Sequence, residues 1–201
     1  MPKKAMIIFG FGGHAESCID VIQSEGKYEI AGMVGCSGEI GQQKLGLRVI
    51  AVDSEISQLK KKFDYAFIAL GQIKTHIPRV QLFNQLKDAG FILPKIISPF
   101  SYVSKHAKVG EGTIVMHGAI VNANATIGKN CIINTMSVLE HGVSVGDNCH
   151  VSTGAILNGN VTVGNGSFVG SGVRIKQEII LSNESFIPMG SVVIKNITIK
   201  N

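Results

Sequence analysis

The sequence predicts two architectures in series, an open α/β unit over residues 1–96 and an all-β parallel β-helix over residues 97–201. Three observations carry that prediction. From Ile97 through Val103, Val109, Val115, Val121 and Ile127 to Val193 and Ile199, every sixth residue is Val, Ile or Leu. A helix repeats its apolar residues near 3.6 and a half-buried strand at 2, so neither explains a period of six. A coil with six-residue sides does, because each side turns one aliphatic side chain inward. The second observation is a longer period: Val109-Gly110, Ile127-Gly128, Val145-Gly146 and Val163-Gly164 recur every 18 residues. Three sides of six therefore close one triangular coil. The third is a strand, glycine turn and helix at the start of the chain.

In chain order, Ala5–Phe9 reads as a short buried strand, followed at once by Gly10-Phe11-Gly12-Gly13-His14-Ala15. This matches G-x-G-x-x-A, and the following stretch has helical apolar spacing at Cys18, Ile19 and Ile22 before Gly26. In such a context the backbone N–H groups of a helix start can receive a phosphate. A second strand is expected over Tyr28–Val34, a helix over Ser54–Lys62, a third strand over Tyr65–Leu70 ending at Gly71, and a helix over His76–Ala89. Parallel strands of this kind place a ligand at their carboxyl ends, which makes the unit Rossmann-like. A dinucleotide site also needs an acid about 20 residues after the glycine turn. Here the second strand runs into Val34-Gly35-Cys36-Ser37, with Glu39 the nearest carboxylate. That argues against nicotinamide chemistry and leaves a nucleotide sugar open. Pro94 and Pro99 mark the handover to the coil.

Within the coil, the glycines that follow every third inward aliphatic are expected at corners that use their conformational freedom. Two positions before the inward aliphatics stand small residues, among them Ala107, Thr113, Ala119, Ala125, Cys131 and Cys149. A narrow prism needs small side chains there. Cys131 and Cys149 are one coil apart and are expected to stack inside as small apolar groups. The four cysteines show no metal-ligand spacing.

Composition narrows the function classes. With 45% hydrophobic and 16% charged residues the chain reads as soluble and globular, and no apolar run approaches the roughly 20 residues of a membrane span. The opening apolar run is broken by glycines and reads as a buried strand rather than a signal peptide, so a cytoplasmic location is expected. The net charge of +5 is not gathered in arginine-rich or aromatic-interleaved stretches, which argues against nucleic acid and for phosphorylated small molecules. Lys60-Lys61-Lys62 reads as a solvated helix end.

Six histidines are candidates for chemistry near neutral pH. His141 lies two places after the inward Leu139, and its equivalents one coil away on either side are Ala123 and Gly159. An imidazole between tiny neighbours leaves room for a substrate. His150 stands half a coil further on, Asn134 lies nearby, and His76, His106 and His117 read as solvated.

These residues carry a resemblance. The coil with Asn134-Thr135 and Val138-Leu139-Glu140-His141-Gly142, the half-coil-distant His150 and the Gly-Phe-Gly-Gly-His turn resemble the left-handed β-helix, hexapeptide-repeat acyltransferases of bacterial sugars. Closest in pattern is the family that places a small nucleotide-binding α/β domain before the coil, with sialic-acid O-acetyltransferases and nucleotide-amino-sugar N-acetyltransferases as members. The resemblance implies a homotrimer, acetyl-CoA as co-substrate in the groove between neighbouring coils, and a nucleotide-sugar acceptor held by the first domain. It matches His141 to the catalytic base and Asn134 to a polar residue of the same pocket. It matches His150, Gly159, Ser171 and Met189 to positions near acetyl-CoA, and Gly12, Gly13, His14 and Gly71 to acceptor-binding positions. No metal is implied.

Two departures bear on the acceptor. The acid that often follows the catalytic histidine is replaced by Gly142, while Glu140 precedes the histidine and points to the opposite face of its strand. The Asp pair that often ends the second strand is missing. N-acetylation of a nucleotide-linked 4-amino-4,6-dideoxy sugar is the expected activity, because an amine depends less on a strong base than a hydroxyl does. O-acetylation of sialic acid or a related nonulosonic acid is the alternative. From other classes stand a non-catalytic nucleotide-sugar-binding scaffold and a zinc hydratase on the same coil. The latter needs three converging histidines, and the H-x4-H pair is absent.

Overall fold

A computed structural model describes residues 3–198 and divides them into two compact units. One comprises Met1–Gly71 and Ile77–Ile96; the other comprises Ile97–Asn201 together with Gln72–His76, a segment drawn from the middle of the first sequence domain. Ile199, the last member of the six-residue series, lies outside the described residues.

The first unit is built on β1 (Lys4–Phe9), α1 (Gly13–Glu25), β2 (Tyr28–Gly35), β3 (Gln43–Lys44), β4 (Leu47–Val52), α2 (Ile56–Lys60), β5 (Tyr65–Ile68) and α3 (Ile77–Asp88). Its sheet runs in the order β3-β4-β2-β1-β5, parallel throughout except for the β3–β4 hairpin. Met6, Ile7, Ile8 and Phe9 are all fully buried, as a strand covered on both faces requires. Ile7 and Phe9 share a core with Leu82, Phe83 and Leu86 of α3. The three strands expected from sequence are present, but β4 was not foreseen. It turns Val49 and Ala51 inward and leaves Ile50 exposed, so the sheet extends one parallel strand beyond the expected set. The helix expected over Ser54–Lys62 is shorter, a 3-10 turn (Asp53–Glu55) leading into α2. Lys60 is not merely solvated: its Nζ pairs with Asp64 at 2.5 Å and lies 5.6 Å over the Phe91 ring.

The second unit is a left-handed β-helix of three parallel faces. One stacks Tyr102–Val103, Ile120–Val121, Val138–Leu139, Ile156–Leu157, Arg174–Ile175 and Val192–Val193. The next stacks Lys108–Val109, Thr126–Ile127, Ser144–Val145, Thr162–Val163 and Ile180–Leu181. The third includes Ile114–Val115, Ile132–Ile133, His150–Val151, Phe168–Val169 and Phe186–Ile187. Each residue pairs with the one 18 positions on, as Val121 does with Leu139. The inward aliphatics from Val115 to Val193 are buried, and Cys131 and Cys149 stack among them as free thiols.

The hand of the coil comes from its corners. At every sixth residue from Gly112 to Gly190 the backbone is left-handed, with φ between 54° and 73°. Glycine or asparagine fills most of these places, as their low cost in that region favours; Met136, Glu178 and Glu184 are the departures. The glycines at 110, 128, 146 and 164 are not among these positions, so the conformational reason expected for them is wrong. They are required by space instead. A Cβ on Gly110 would lie 2.6 Å from the backbone carbonyl carbon and oxygen of Gly128, one coil below.

Candidate active site

In the first unit the site forms where the strands end. Gly10 closes β1 with φ 121°, and a Cβ there would lie 3.0 Å from the Ala69 backbone, so only glycine fits. Gly12 caps α1 without offering a side chain, and nothing lies within 4 Å of where a Cβ on Gly12 or Gly13 would sit. The start of α1 is thus uncrowded at Gly12 and Gly13, and a helix N-terminus of this kind suits an anion. Beside them is a cleft of about 180 Å³ lined by Phe11, Val34, Gly35, Cys36 and Leu70, with two carboxylates on its wall, Glu39 and Asp53. Glu39 accepts the Cys36 N–H at 2.7 Å. Loss of water around Asp53, and then the charge of Glu39, raise the Asp53 carboxyl above its ordinary range. A pair of acceptors suits the N–H or O–H groups of a base or ribose. From sequence Glu39 is the nearest carboxylate to the second strand, and Asp53, which follows the unforeseen β4, is missed; the largely apolar stretch Leu47–Val52 was the signal for it.

His14 lies half-buried in the glycine turn, next to Gly71, where a Cβ would sit 3.6 Å from the His14 Cβ. Its Nε2 is 3.4 Å from the Cys18 Sγ. Burial pushes that thiol up to about 12, opposed by the nearby Arg79 charge, so Cys18 stays protonated beside the ring. Arg79 itself is buried and donates from Nη1 to the carbonyls of Ile68 and Leu70, at 3.1 and 2.6 Å, fixing the end of β5 beside the cleft.

On the coil the expected residues fall into two groups. His141 is exposed at a corner, and its ring lies over Gly159 of the next coil: a Cβ there would come within 2.5 Å of Cε1 and 2.7 Å of Nε2. Among the described residues the imidazole makes no hydrogen bond. Glu140 turns away, accepting from Asn122 Nδ2 at 3.0 Å. Gly142 is one of the left-handed corners, so the place of the missing acid is held by the backbone.

The second group follows another corner. Asn134 Nδ2 is 3.0 Å from His150 Nε2, and its Oδ1 accepts the Thr135 N–H at 2.8 Å. Further along, Ser171 Oγ meets Ser152 Oγ at 2.9 Å, and the Ser171 carbonyl accepts the Gly190 N–H, next to Met189, which is 77% exposed. His150, only 6% exposed, faces outward from the third face into cover rather than solvent, with Phe168 edge-on at 5.3 Å. Its Nδ1 lies 2.5 Å from the Gln72 carbonyl oxygen. No feature of the sequence pointed to Gln72. Two histidines read as solvated are engaged: His117 bonds Ser98 Oγ at 2.6 Å, and His76 packs over Gly166, 3.9 Å from Glu184. His106 is exposed, as expected. Among the described residues no three of His, Cys, Asp and Glu are grouped to hold a metal ion, and no helix is long and apolar enough to cross a membrane.

Comparison with known proteins places these features. The PglD N-terminal domain profile matches residues 5–86, and the profile for bacterial transferase hexapeptide (six repeats) matches residues 106–141, 124–159 and 142–177. No curated protein sequence matches at a significant level. Among solved structures, perosamine N-acetyltransferase from Caulobacter crescentus, in complex with CoA and GDP-perosamine, is 30% identical with a TM-score of 0.90, over 96% of this chain and 90% of its own. The acetyltransferase domain of PglB from Neisseria gonorrhoeae FA1090 is 26% identical with a TM-score of 0.89, over 98% of this chain and 94% of its own. WeeI from Acinetobacter baumannii AYE, at 18% identity and a TM-score of 0.72, shares the fold. Identity of that order along nearly the whole length, joined to the glycine turn and the hexapeptide coil, makes the chain a member of the hexapeptide-repeat sugar acetyltransferases, which draw on acetyl-CoA.

Proposed function

We propose that the protein N-acetylates a nucleotide-linked 4-amino-4,6-dideoxy sugar by direct transfer from acetyl-CoA, with His141 as general base. The observation that carries this reading is the imidazole itself, exposed at a corner over Gly159 and without a hydrogen bond among the described residues. The acceptor amine attacks the thioester carbonyl while His141 takes its proton. The tetrahedral oxyanion is steadied by the Gly159 N–H, which is unpaired among the described residues. Collapse forms the amide, breaks the C–S bond and releases CoA thiolate, which recovers the proton from the imidazolium. A thiol with a pKa near 8.5 leaves without a strong acid, and an amine asks less of the base than a hydroxyl does, so Gly142 in place of the base-strengthening acid is tolerated. Perosamine N-acetyltransferase has been solved with CoA and GDP-perosamine, and also with a histidine replaced by Asn or Ala, which supports an amino sugar as acceptor.

The first unit supplies the acceptor site: the α1 amides at Gly13 and His14 take the diphosphate, and Glu39 and Asp53 the base or ribose. Ser171 and Met189 lie along the path of the pantetheine arm. Asn134 and His141 stand at successive corners of the prism, seven residues apart, or up to about 23 Å if that stretch were fully extended. One small acyl group reaches both sets most simply where two copies meet, as in a homotrimer. Tyr102, Ile120 and Val192 point outward from one face of the coil, and Ile180 and Phe186 from the other two, so each face has exposed apolar side chains for such contacts. Both substrates are cytoplasmic metabolites, and the enzyme belongs with them.

Thiol release from acetyl-CoA, measured against a panel of nucleotide-linked 4-amino sugars and free sialic acids with the product identified by mass spectrometry, tests the reading. An N-acetylated nucleotide sugar is expected. A product acetylated only on a sialic-acid hydroxyl replaces this acceptor with the alternative, and binding without release of thiol leaves a scaffold.

Gly159→Ala gives a second check. Its Cβ meets the far end of a side chain rather than backbone, so the His141 ring swings aside and the fold stays. Misplacing a catalytic group by about 1 Å can cost about 100-fold; kcat is expected to drop about 10–100-fold with the melting temperature within a few degrees of wild type. Unchanged kcat would show that the position of the ring over Gly159 is irrelevant.

A further inference from the structure

We propose that Gln72 is a positioning residue, whose carbonyl holds His150 in one tautomer so that the ring aims the side-chain amide of Asn134 at the acyl group. The inference rests on the acetyl-transfer reading for its purpose, but its geometry stands apart from it.

A backbone carbonyl only accepts, so the contact of Gln72 O with His150 Nδ1 at 2.5 Å puts a proton on Nδ1. In a neutral ring Nε2 is then an acceptor, and it faces Asn134 Nδ2 at 3.0 Å. The amide is held from its other end too, since Asn134 Oδ1 accepts the Thr135 N–H at 2.8 Å. Two opposed bonds leave the amide no flip that keeps both. The second Nδ2 hydrogen has no partner among the described residues, and Asn134 is half-buried. It is the donor this network presents. His150 cannot be that donor, because one nitrogen is committed to Gln72 and the other carries a lone pair.

Gln72 is itself 2% exposed, in the segment Gln72–His76 that belongs to the coil unit. Its Nε2 donates to the Asn148 carbonyl at 2.9 Å, pinning the carbonyl that His150 needs, while Oε1 is buried with no hydrogen bond. A buried acceptor left unmade costs about 1–3 kcal/mol, so an apolar residue of the same shape would serve stability at least as well. A side chain kept against that cost points to alignment rather than to folding.

Three measurements test the assignment. Histidine side-chain ¹⁵N NMR of the wild-type protein is expected to show His150 protonated at Nδ1 and bare at Nε2. The opposite tautomer overturns the proposal whether or not any sugar is acetylated, whereas failure of transfer with the expected tautomer overturns only the acetyltransferase reading. Gln72→Met is expected to keep the melting temperature within about 3 °C and lower kcat about 10-fold, with the KM for acetyl-CoA within about 2-fold. Wild-type kcat, or a loss that only follows the lost folded fraction, counts against it. Finally, His150→Gln carries one donor and one acceptor and is expected to retain a third or more of kcat, where His150→Phe loses it 30-fold or more. Equal losses in the two would mean that the ring acts otherwise.

Discussion

His141→Ala is expected to lower kcat by about 10²–10⁴-fold, the range a positioned general base supplies, while the protein folds and melts as wild type. The imidazole is exposed and makes no hydrogen bond among the described residues, so its loss removes no packing and orphans no partner. Surface changes of that kind usually shift stability by no more than about 0.5 kcal/mol. The KM for acetyl-CoA should stay within a few-fold, because the ring meets the proton of the acceptor rather than the carrier. Steady-state kinetics beside a thermal melt separate these effects. A fully active variant would take the histidine out of the mechanism and leave the amine to lose its proton to water.

A large structural effect is expected at Gly128→Ala. The position has no left-handed φ, so the backbone conformation itself would accept alanine. Space would not: the added Cβ would lie 2.7 Å from both Asp147 N and Gly146 C, backbone atoms of the next coil that cannot swing away. Overpacking of a tight contact costs about 1–3 kcal/mol and sometimes more. At about 2–4 °C per kcal/mol for a chain of this size, the melting temperature followed by circular dichroism should fall by roughly 2–12 °C. Gly154, by contrast, has open space where its Cβ would go but a φ of 66°, so the same substitution there is opposed by conformation rather than contact. A melt at wild-type temperature for Gly128→Ala would mean that the coils can separate locally without cost.

The coil was legible because its interior imposes one rule on every side. Val115, Val121 and Ile127 each fill the same slot, and a six-residue period survives any local sequence noise. What the period does not carry is the reason behind each turn's shape. The glycines at 110, 128, 146 and 164 and the left-handed corners at 112, 118 and onward are two different demands, close selection versus conformation, and composition merges them. In the first unit β4 escaped because its outward-facing Ile50 is itself apolar, blurring the alternation that marks Val49 and Ala51. With it went Asp53 and the acidic wall of the cleft. His141 was legible from its small neighbours one coil away on either side. The environment of His150 was not, because it depends on Gln72, 78 residues earlier in the chain.

The repeat of left-handed corners also sets how this chain can grow or shrink. Each corner advances the chain by one side, and three sides return it to the same edge, so Asn134, Ser152 and Gly170 follow one edge while His141 and Gly159 follow another. Insertion or deletion of 18 residues preserves which edge every later side chain occupies. A change of six carries all of them to the next edge, and a change of one turns the inward aliphatics outward. Length in this screw is therefore quantised, and a reaction centre assembled from separate edges tolerates only whole turns between its parts.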